Sequence, residues 1–101
     1  MTNYLITYDI SSDALRDKTA VILKQHGCLR VQKSVFLAPK FTAREQRALK
    51  AALHRLLAGN LGPDESVIAV PVSSQQLEGS LWEGQSPGLS GALDDKLHLL
   101  V

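Results

Sequence analysis

The chain has 101 residues, of which 45% are hydrophobic and 21% are charged, with a formal net charge of +1. This length is typical of one domain with a single core, and the composition excludes general disorder. No apolar run approaches the roughly 20 residues that cross a bilayer, and the single cysteine, Cys28, excludes an internal disulfide and a cysteine-based zinc site. We therefore expect a cytoplasmic protein with neither a membrane contact nor a secretory signal.

The charge is distributed unevenly along the chain. Residues 1–63 contain ten Lys or Arg and four Asp or Glu, a balance of +6, whereas residues 64–101 contain one and six, a balance of −5. A basic body with an acidic tail is suited to binding a polyanion on one surface and a basic partner on the other. Two ordinary solvated surfaces explain the same distribution, so charge alone leaves both interpretations open.

The N-terminal part of the sequence predicts a strand followed by a helix. In residues 3–8 the side chains alternate in the pattern of a strand, with Tyr4, Ile6 and Tyr8 on one side and Leu5 and Thr7 on the other, and these five are good strand formers. The sequence SSD at 11–13 then offers N-cap acceptors. Apolar residues recur at helical spacing up to His26, and Gly27 is a typical C-terminal stop.

The middle of the chain predicts a second strand and a second helix. Residues 29–37 alternate in the manner of a strand, which Pro39 either ends or bends. Thr42 and Glu45 form a capping box. The helix that they open is expected to continue to about Ala58.

The last third of the chain predicts a third strand and a mobile segment. Residues 66–72, SVIAVPV, are almost continuously apolar, which predicts a strand buried on both faces. From residue 73 the density of Gly, Ser and Pro predicts mobility, and the final KLHLLV predicts a short strand. A strand behind a flexible tether needs a pairing edge, and the sheet edge of a second copy supplies one.

This order of elements predicts an α/β fold, a two-layer α+β sandwich with the helices on one face of the sheet. The other face is expected to carry Leu5 and Phe36, apolar side chains that need to be buried away from water. Association of two copies, sheet to sheet or edge to edge, provides that cover. We therefore expect a homodimer.

Asp9 is the candidate site residue, because it places an ionisable carboxylate at the end of a strand and just before a helix start. One interpretation is that Asp9 caps the first helix or the turn before it. The other is that two copies of Asp9 meet at a twofold axis and form a two-carboxylate Mg²⁺ site. The sequence has no Gly-rich phosphate loop and no nucleophile elbow, and its three histidines are scattered.

Basic and aromatic residues near Asp9 are further candidates. The basic residues are expected either to contact phosphates or to be ordinary surface charge: Arg16, Lys18, Arg30 and Lys33. Tyr8 and Phe36 are expected in the core or in a dimer interface, with base stacking as the alternative. Trp82 lies in the predicted mobile segment, where it either anchors a partner or packs on its own chain.

Three segments, YLITYDISSDALRDK, GCLRVQKSVFLAP and SVIAVPV, closely resemble the CRISPR-associated protein two family, the small subunit of the spacer-acquisition machinery. The resemblance covers about residues 3–72. It implies a ferredoxin-like βαββαβ domain over residues 1–72, a homodimer, and a flexible segment 73–101 ending in a strand that pairs with the partner subunit. The βαββαβ order requires a hairpin within residues 29–41, made either by one long bent strand or by a very tight hairpin.

The resemblance also implies a site. Asp9 matches the aspartate that holds a divalent metal, Mg²⁺ or Mn²⁺, at the twofold axis. The positions that matter for nuclease activity in some members correspond to Tyr8, Asp9, Arg16, Arg30 and Phe36. Lys18 stands where the family has another basic residue, so its charge carries over without the forked geometry of arginine.

Two functions follow from the resemblance, and both stay open. Family members are described as metal-dependent endonucleases that act on RNA or double-stranded DNA. They are also described as non-catalytic bridges that bind protospacer DNA between dimers of the CRISPR-associated protein one integrase. In the second case the acidic tail is expected to dock the basic integrase.

Overall fold

A computed structural model of the chain describes residues 1–84. This part contains seven elements in chain order: β1 (Thr2–Asp9), α1 (Asp13–Gln25), β2 (Leu29–Gln32), β3 (Val35–Phe41), α2 (Ala43–Leu57), β4 (Ser66–Val72) and α3 (Ser74–Glu78). The first six have the predicted βαββαβ order. None of the helices in the described part is long and apolar enough to cross a membrane.

The four strands form one antiparallel sheet in the order β2-β3-β1-β4. This is the ferredoxin-like topology, so the predicted fold class is confirmed. Helices α1 and α2 contact each other and pack on one face of the sheet. Strand β1 lies between β3 and β4, so its last residue, Asp9, is held in the ladder opposite Ser66.

Both long helices begin at the caps that the sequence predicts. The Ser12 hydroxyl accepts the backbone N–H of Leu15 at the start of α1, and Thr42 and Glu45 form the complete capping box of α2. Each cap satisfies backbone N–H groups that the helix itself leaves without a partner. Gly27 follows α1 with a φ of 85°, a left-handed conformation that glycine adopts without strain.

Strands β2 and β3 form a hairpin whose turn is at residues 33–34. The single strand predicted over 29–37 is therefore wrong, and the tight hairpin is the correct alternative. Pro39 does not end the strand, because β3 continues to Phe41. Lys40 has a φ of 51°, and the β1–β3 register is irregular in this region. A bulge lets the strand bend here without losing its ladder.

The main core lies between the sheet and the helices α1 and α2. The prediction that Phe36 lies on the face away from the helices is wrong, because β3 pairs it with Ile6 and both side chains are buried in this core. The other face has a smaller cluster, in which Leu37 and Leu77 are buried and Trp82 packs against them. Trp82 therefore packs on its own chain.

Strand β4 is an edge strand, and the prediction that it is buried on both faces is wrong. Ile68 and Val70 are 53% and 46% exposed, and they lie opposite Thr7 and Leu5 on the face away from α1 and α2. An apolar run is consistent with burial on both faces but does not establish it. The surface formed by Leu5, Thr7, Ile68 and Val70 is called the open face below.

Helix α3 lies within the stretch whose composition predicts mobility. Ser73 and Gln76 form a capping box at its start, and Leu77 is buried against Leu37. A cap signal of two residues does not stand out against the Gly, Ser and Pro density of this stretch, so its composition does not predict the helix. The rest of the predicted mobile segment and the predicted final strand fall in residues 85–101, outside the described residues.

Candidate functional site

Asp9 has an available carboxylate at the border of the open face. The alternation of β1 puts its side chain on the same face as Leu5 and Thr7. It is exposed, and no hydrogen bond or ion pair within residues 1–84 engages its carboxylate. The helix-cap interpretation is wrong, because Ser12 caps α1. The carboxylate oxygens are therefore accessible to a ligand.

The loop after Asp9 is fixed by a residue from a distant part of the sequence. One carboxylate oxygen of Glu65 accepts the backbone N–H of Ser11 at 2.5 Å, and the other accepts the N–H of Gly62 at 2.7 Å. The bonds from Gly62 and then Ser11 hold the pKa of the Glu65 carboxyl below its usual value. Since 54 positions separate Glu65 from Ser11, no local pattern could indicate this tether.

Arg16 contacts the same loop from α1. Its guanidinium donates to the carbonyl of Ile10 at 3.4 Å and forms an ion pair with Asp13. The Arg16 side chain is still 43% exposed, so part of it is accessible to a phosphate. Lys18 is exposed on α1, and no side-chain hydrogen bond or ion pair within the described part of the chain ties it to this loop.

Three predicted residues form one cluster on the helix side of the sheet. The rings of Tyr8 and Phe36 stack with centroids 6.2 Å apart, and the Arg30 guanidinium lies 5.0 Å from the Phe36 ring centroid. The Tyr8 hydroxyl donates to the Lys33 carbonyl at 3.1 Å. Because Tyr8 and Phe36 are buried, they are core aromatics. They hold Arg30 by a cation–π contact and hold the hairpin by a hydrogen bond.

The predicted residues therefore fall into two groups. Asp9 lies toward the open face, whereas Arg30 lies on the helix side. The turn of the β2–β3 hairpin lies next to the end of β1, because the backbone N–H of Tyr8 donates to the Ser34 carbonyl at 3.0 Å. The exposed Lys33 of this turn therefore lies between the two groups. This end of the sheet combines a carboxylate with exposed cations, which suits a metal ion bound together with a phosphate.

Two surface grooves lie elsewhere, and neither contains a predicted site residue. One, of about 640 Å³, lies beside Asn3 and Lys40 at the other end of β1. The second, of about 1120 Å³, lies between α2 and the strands β1 and β4. The candidate site therefore lies outside both grooves, at an exposed end of the sheet.

The donor set at Asp9 fits a hard divalent cation only in part. Within residues 1–84, no group of three or more His, Cys, Asp or Glu is placed to hold a metal ion. A metal ion at Asp9 would therefore take further oxygen ligands from a second Asp9, from water and from substrate phosphates. Mg²⁺ commonly binds through one or two carboxylates with water and phosphate oxygens. The residue present fits such a site if two copies share it.

Comparison with known proteins finds one family. A family model described as "CRISPR associated protein Cas2" matches residues 1–79. A CRISPR-associated endoribonuclease Cas2 of Korarchaeum cryptofilum is 38% identical over 74 residues, which are 73% of this chain and 75% of the relative. The protein of the same name from Aeropyrum pernix is 36% identical over 102 aligned positions, covering 100% of this chain and 99% of the relative.

Two solved structures resemble the fold. A hypothetical protein, TT1823, from Thermus thermophilus has a TM-score of 0.61 and 33% identity, covering 71% of this chain and 82% of its own. A chain of a partial Cas6-RT-Cas1–Cas2 complex has a TM-score of 0.68 and 26% identity, covering 80% and 89%. Sequence and structure comparisons therefore agree on the same βαββαβ domain.

Proposed function

This chain belongs to the Cas2 family of CRISPR-associated proteins, and we propose that it is a metal-dependent endonuclease that acts in spacer acquisition. The observation that carries the proposal is the exposed Asp9 carboxylate, which nothing in residues 1–84 engages. The name endoribonuclease, borne by two relatives, supports RNA as a substrate. Double-stranded DNA is the alternative substrate.

The proposed site is completed by a second copy of the chain. The open face leaves Ile68 and Val70 exposed, and such apolar surface favours association. Because Asp9 borders this face, packing two open faces around a twofold axis that passes beside Asp9 brings the two carboxylates together. The homodimer thus supplies the second carboxylate that one chain lacks.

The residues of the chain have distinct roles in the proposed hydrolysis. A divalent ion held by the paired Asp9 carboxylates would polarise the phosphate and acidify a water molecule. Arg16 and Lys33 hold the phosphate backbone near the metal by charge-assisted hydrogen bonds, whereas Arg30, on the helix side of the sheet, adds positive charge farther from it. In the reaction the water gives up one proton to solvent as its oxygen bonds to phosphorus, the bond to the leaving sugar oxygen breaks, and that oxygen takes up a proton from solvent. Tyr8 and Phe36 act only through the hairpin and Arg30, which they position.

Asp9→Asn tests this proposal, because an amide removes the negative charge with little change of shape. Mg²⁺-dependent cleavage of single-stranded RNA and duplex DNA should fall by more than the roughly 10- to 100-fold typical of residues that only support a ligand. Dimerisation and nucleic-acid affinity should stay close to wild type. Asp17→Asn, which changes an exposed carboxylate on α1, is the matched control. Cleavage that persists in Asp9→Asn would contradict the proposal.

A non-catalytic adaptor is the second candidate function. The likeness to a chain of a Cas6-RT-Cas1–Cas2 complex favours it, and a Cas1 integrase is the partner that this likeness suggests. The balance of −5 in residues 64–101 suits a basic partner surface. In this function the basic body of the chain holds duplex phosphates without reading their sequence.

Spacer acquisition in cells distinguishes the adaptor from the endonuclease. An adaptor should tolerate Asp9→Asn and should fail when residues 85–101 are removed. The truncation starts at residue 85 because Leu77 and Trp82 pack on the sheet, and a longer deletion would expose Leu37. Residues 85–101 hold Asp94, Asp95 and Lys96, so their removal takes away only one net negative charge of the −5 in residues 64–101. Acquisition that survives the truncation therefore contradicts docking through residues 85–101 alone, and acquisition lost in Asp9→Asn supports the endonuclease.

A further inference from the structure

Helix α2 carries a row of basic residues that the proposed Asp9 site does not use. Five basic side chains on its surface are all exposed: Arg44, Arg47, Lys50, His54 and Arg55. The first four follow one another at spacings of three or four residues, so they form a row on one side of the helix. These five residues are called the α2 stripe below.

No carboxylate of α2 compensates the stripe. Glu45 is the only acidic residue of the helix, and its carboxylate accepts the backbone N–H of Thr42 at 2.9 Å in the capping box. The ion pair found in residues 1–84 joins Arg16 to Asp13 and involves no stripe residue. The charges of the stripe therefore face solvent without an acidic partner from the described part of the chain.

The N-terminal part of the stripe is unfavourable for the helix that carries it. Arg44 and Arg47, and again Arg47 and Lys50, are like charges three residues apart, a spacing at which they repel. Arg44 also lies in the first turn, at the positive end of the helix dipole. A bound polyanion relieves both effects. An arrangement of charges that destabilises its own helix without a structural gain is typical of a functional surface.

The chemistry around the stripe favours a phosphate backbone over a lipid surface or a protein. The apolar side of α2 is buried on the sheet through Leu49, Ala52 and Leu57 and cannot enter a lipid layer. Protein interfaces depend on large apolar or aromatic anchors, whereas the exposed apolar residues between the stripe positions are Ala48 and Ala51. Rows of Arg and Lys are sufficient to bind nucleic-acid phosphates.

We propose that the α2 stripe is a second nucleic-acid surface, which binds the phosphate backbone without reading sequence. From Arg44 to Arg55 it extends for about 16 Å, at roughly 1.5 Å per helical residue, and one strand carries a phosphate about every 3.4 Å along a duplex axis. It lies on the helix side of the sheet, away from Asp9. A dimer formed through the open faces leaves one stripe on each outer surface. The proposal does not depend on cleavage at Asp9.

Salt-dependent binding tests the stripe in the full chain. Asp9→Asn is used as the background so that substrate stays intact, and fluorescent duplex DNA and single-stranded RNA of equal length are titrated at several salt concentrations. Arg47→Gln with Lys50→Gln should reduce the slope of log affinity against log salt by about 1.8 for the duplex, which corresponds to roughly 60-fold weaker binding at about 0.1 M salt. Lys24→Gln with Lys40→Gln removes the same charge elsewhere and should keep the original slope.

The outcomes separate this proposal from its alternatives. The stripe variant should melt at or above the temperature of its parent, because repulsion along α2 is relieved, so weaker binding cannot be ascribed to unfolding. A slope change with only one of the two nucleic acids assigns that one as the ligand. Equal slopes for the stripe variant and the control overturn the proposal. Arg47, Lys50 and His54 also border the groove beside α2, where an acidic protein segment could bind. Polyglutamate is therefore used as a competitor. If it displaces the labelled nucleic acid as strongly as an unlabelled duplex of equal charge does, the proposal is overturned in favour of an acidic protein.

Discussion

The two faces of the sheet are built in different ways. Toward α1 and α2 the sheet is sealed, with Phe36 completely buried at its centre. Toward the other side α3 covers only Leu37 and its neighbours, and Ile68 and Val70 stay exposed. The difference indicates that the sealed face supplies most of the stability of the folded chain, whereas the open face is the surface through which we propose that two copies associate.

Two carboxylates at one end of the sheet show the same contrast. Both oxygens of Glu65 accept backbone N–H groups, whereas no hydrogen bond or ion pair within residues 1–84 engages the Asp9 carboxylate. Glu65 is thus committed to structure, and Asp9 is available to a ligand. A substitution on the sealed face should therefore change the free energy of unfolding by a different amount from one on the open face, and a substitution of Glu65 by a different amount from one of Asp9.

Phe36→Ala should have the largest effect, because it empties the centre of the sealed face. The expected loss is about 3–5 kcal/mol in the free energy of unfolding, a large fraction of the roughly 5–15 kcal/mol that stabilises a typical domain. The loss of the Arg30 contact adds to it. Urea unfolding followed by circular dichroism measures the change. A loss below about 1.5 kcal/mol, as in conservative core exchanges, would show that this face is not packed as described.

Leu77→Ala should cost less, although Leu77 is also buried. The cluster around Leu77 and Leu37 is small and lies under a five-residue helix, so it can collapse around a cavity more easily than the main core. We expect about 2 kcal/mol, the lower end for buried leucines. Leu81→Ala changes a fully exposed leucine and should leave the urea midpoint unchanged. Equal midpoints for the two variants would contradict the packing of α3 on the sheet.

The ends of the helices are the part of the fold that local sequence predicts, because they depend on interactions between residues that are close in the chain. The Ser12 and Thr42 caps and the left-handed Gly27 fix the ends of α1 and α2 within a few residues. The β2–β3 turn at residues 33–34, Lys-Ser, lacks the Asn-Gly or Asp-Gly signal of a two-residue hairpin. The alternation of residues 29–37 alone therefore predicts one continuous strand.

The parts that sequence could not predict depend on contacts across the sheet. An apolar run such as β4 has the same pattern at an edge as at a centre, so the exposure of Ile68 follows only from the strand order. The position of Asp9 at a strand end was predictable. Whether Asp9 or Ser12 capped the helix was not, and the Glu65 tether joins residues too distant for any periodic pattern.

Glu65→Gln should have a smaller, pH-dependent effect, since an amide oxygen still accepts hydrogen bonds but carries no charge. The folded-state pKa of Glu65 lies below its ordinary value of 4.5, because Gly62 and Ser11 donate to the carboxylate. Its contribution to stability is therefore complete above that ordinary value and is lost as the pH falls through the lower folded-state pKa. The stability difference between wild type and variant should narrow on acidification below about pH 4.5.

The difference between the urea midpoints of wild type and Glu65→Gln, measured at neutral pH and again in acid, tests whether the stability difference narrows. Glu45→Gln is the matched control, because backbone and side-chain hydrogen bonds with Thr42 lower the pKa of Glu45 in the same direction. Both variants should show the same pH trend, but of the two only Glu65→Gln should weaken the cleavage that we propose at Asp9, since Glu65 holds the loop after Asp9 and Glu45 does not. A difference from wild type that widens in acid would contradict the tether.

Val70→Asp should change the stability of the folded chain least and its association most. Val70 is an exposed edge residue, and surface substitutions usually change stability by about 0.5 kcal/mol or less. In a dimer formed through the open face, however, the new carboxylate would be buried without a partner, which is strongly unfavourable. Sedimentation should therefore show a folded monomer. Ala69→Asp puts the same charge on the same strand with its side chain on the helix side, and it should stay dimeric. If both variants dimerise equally, the open face is not the interface, and the paired Asp9 site fails with it.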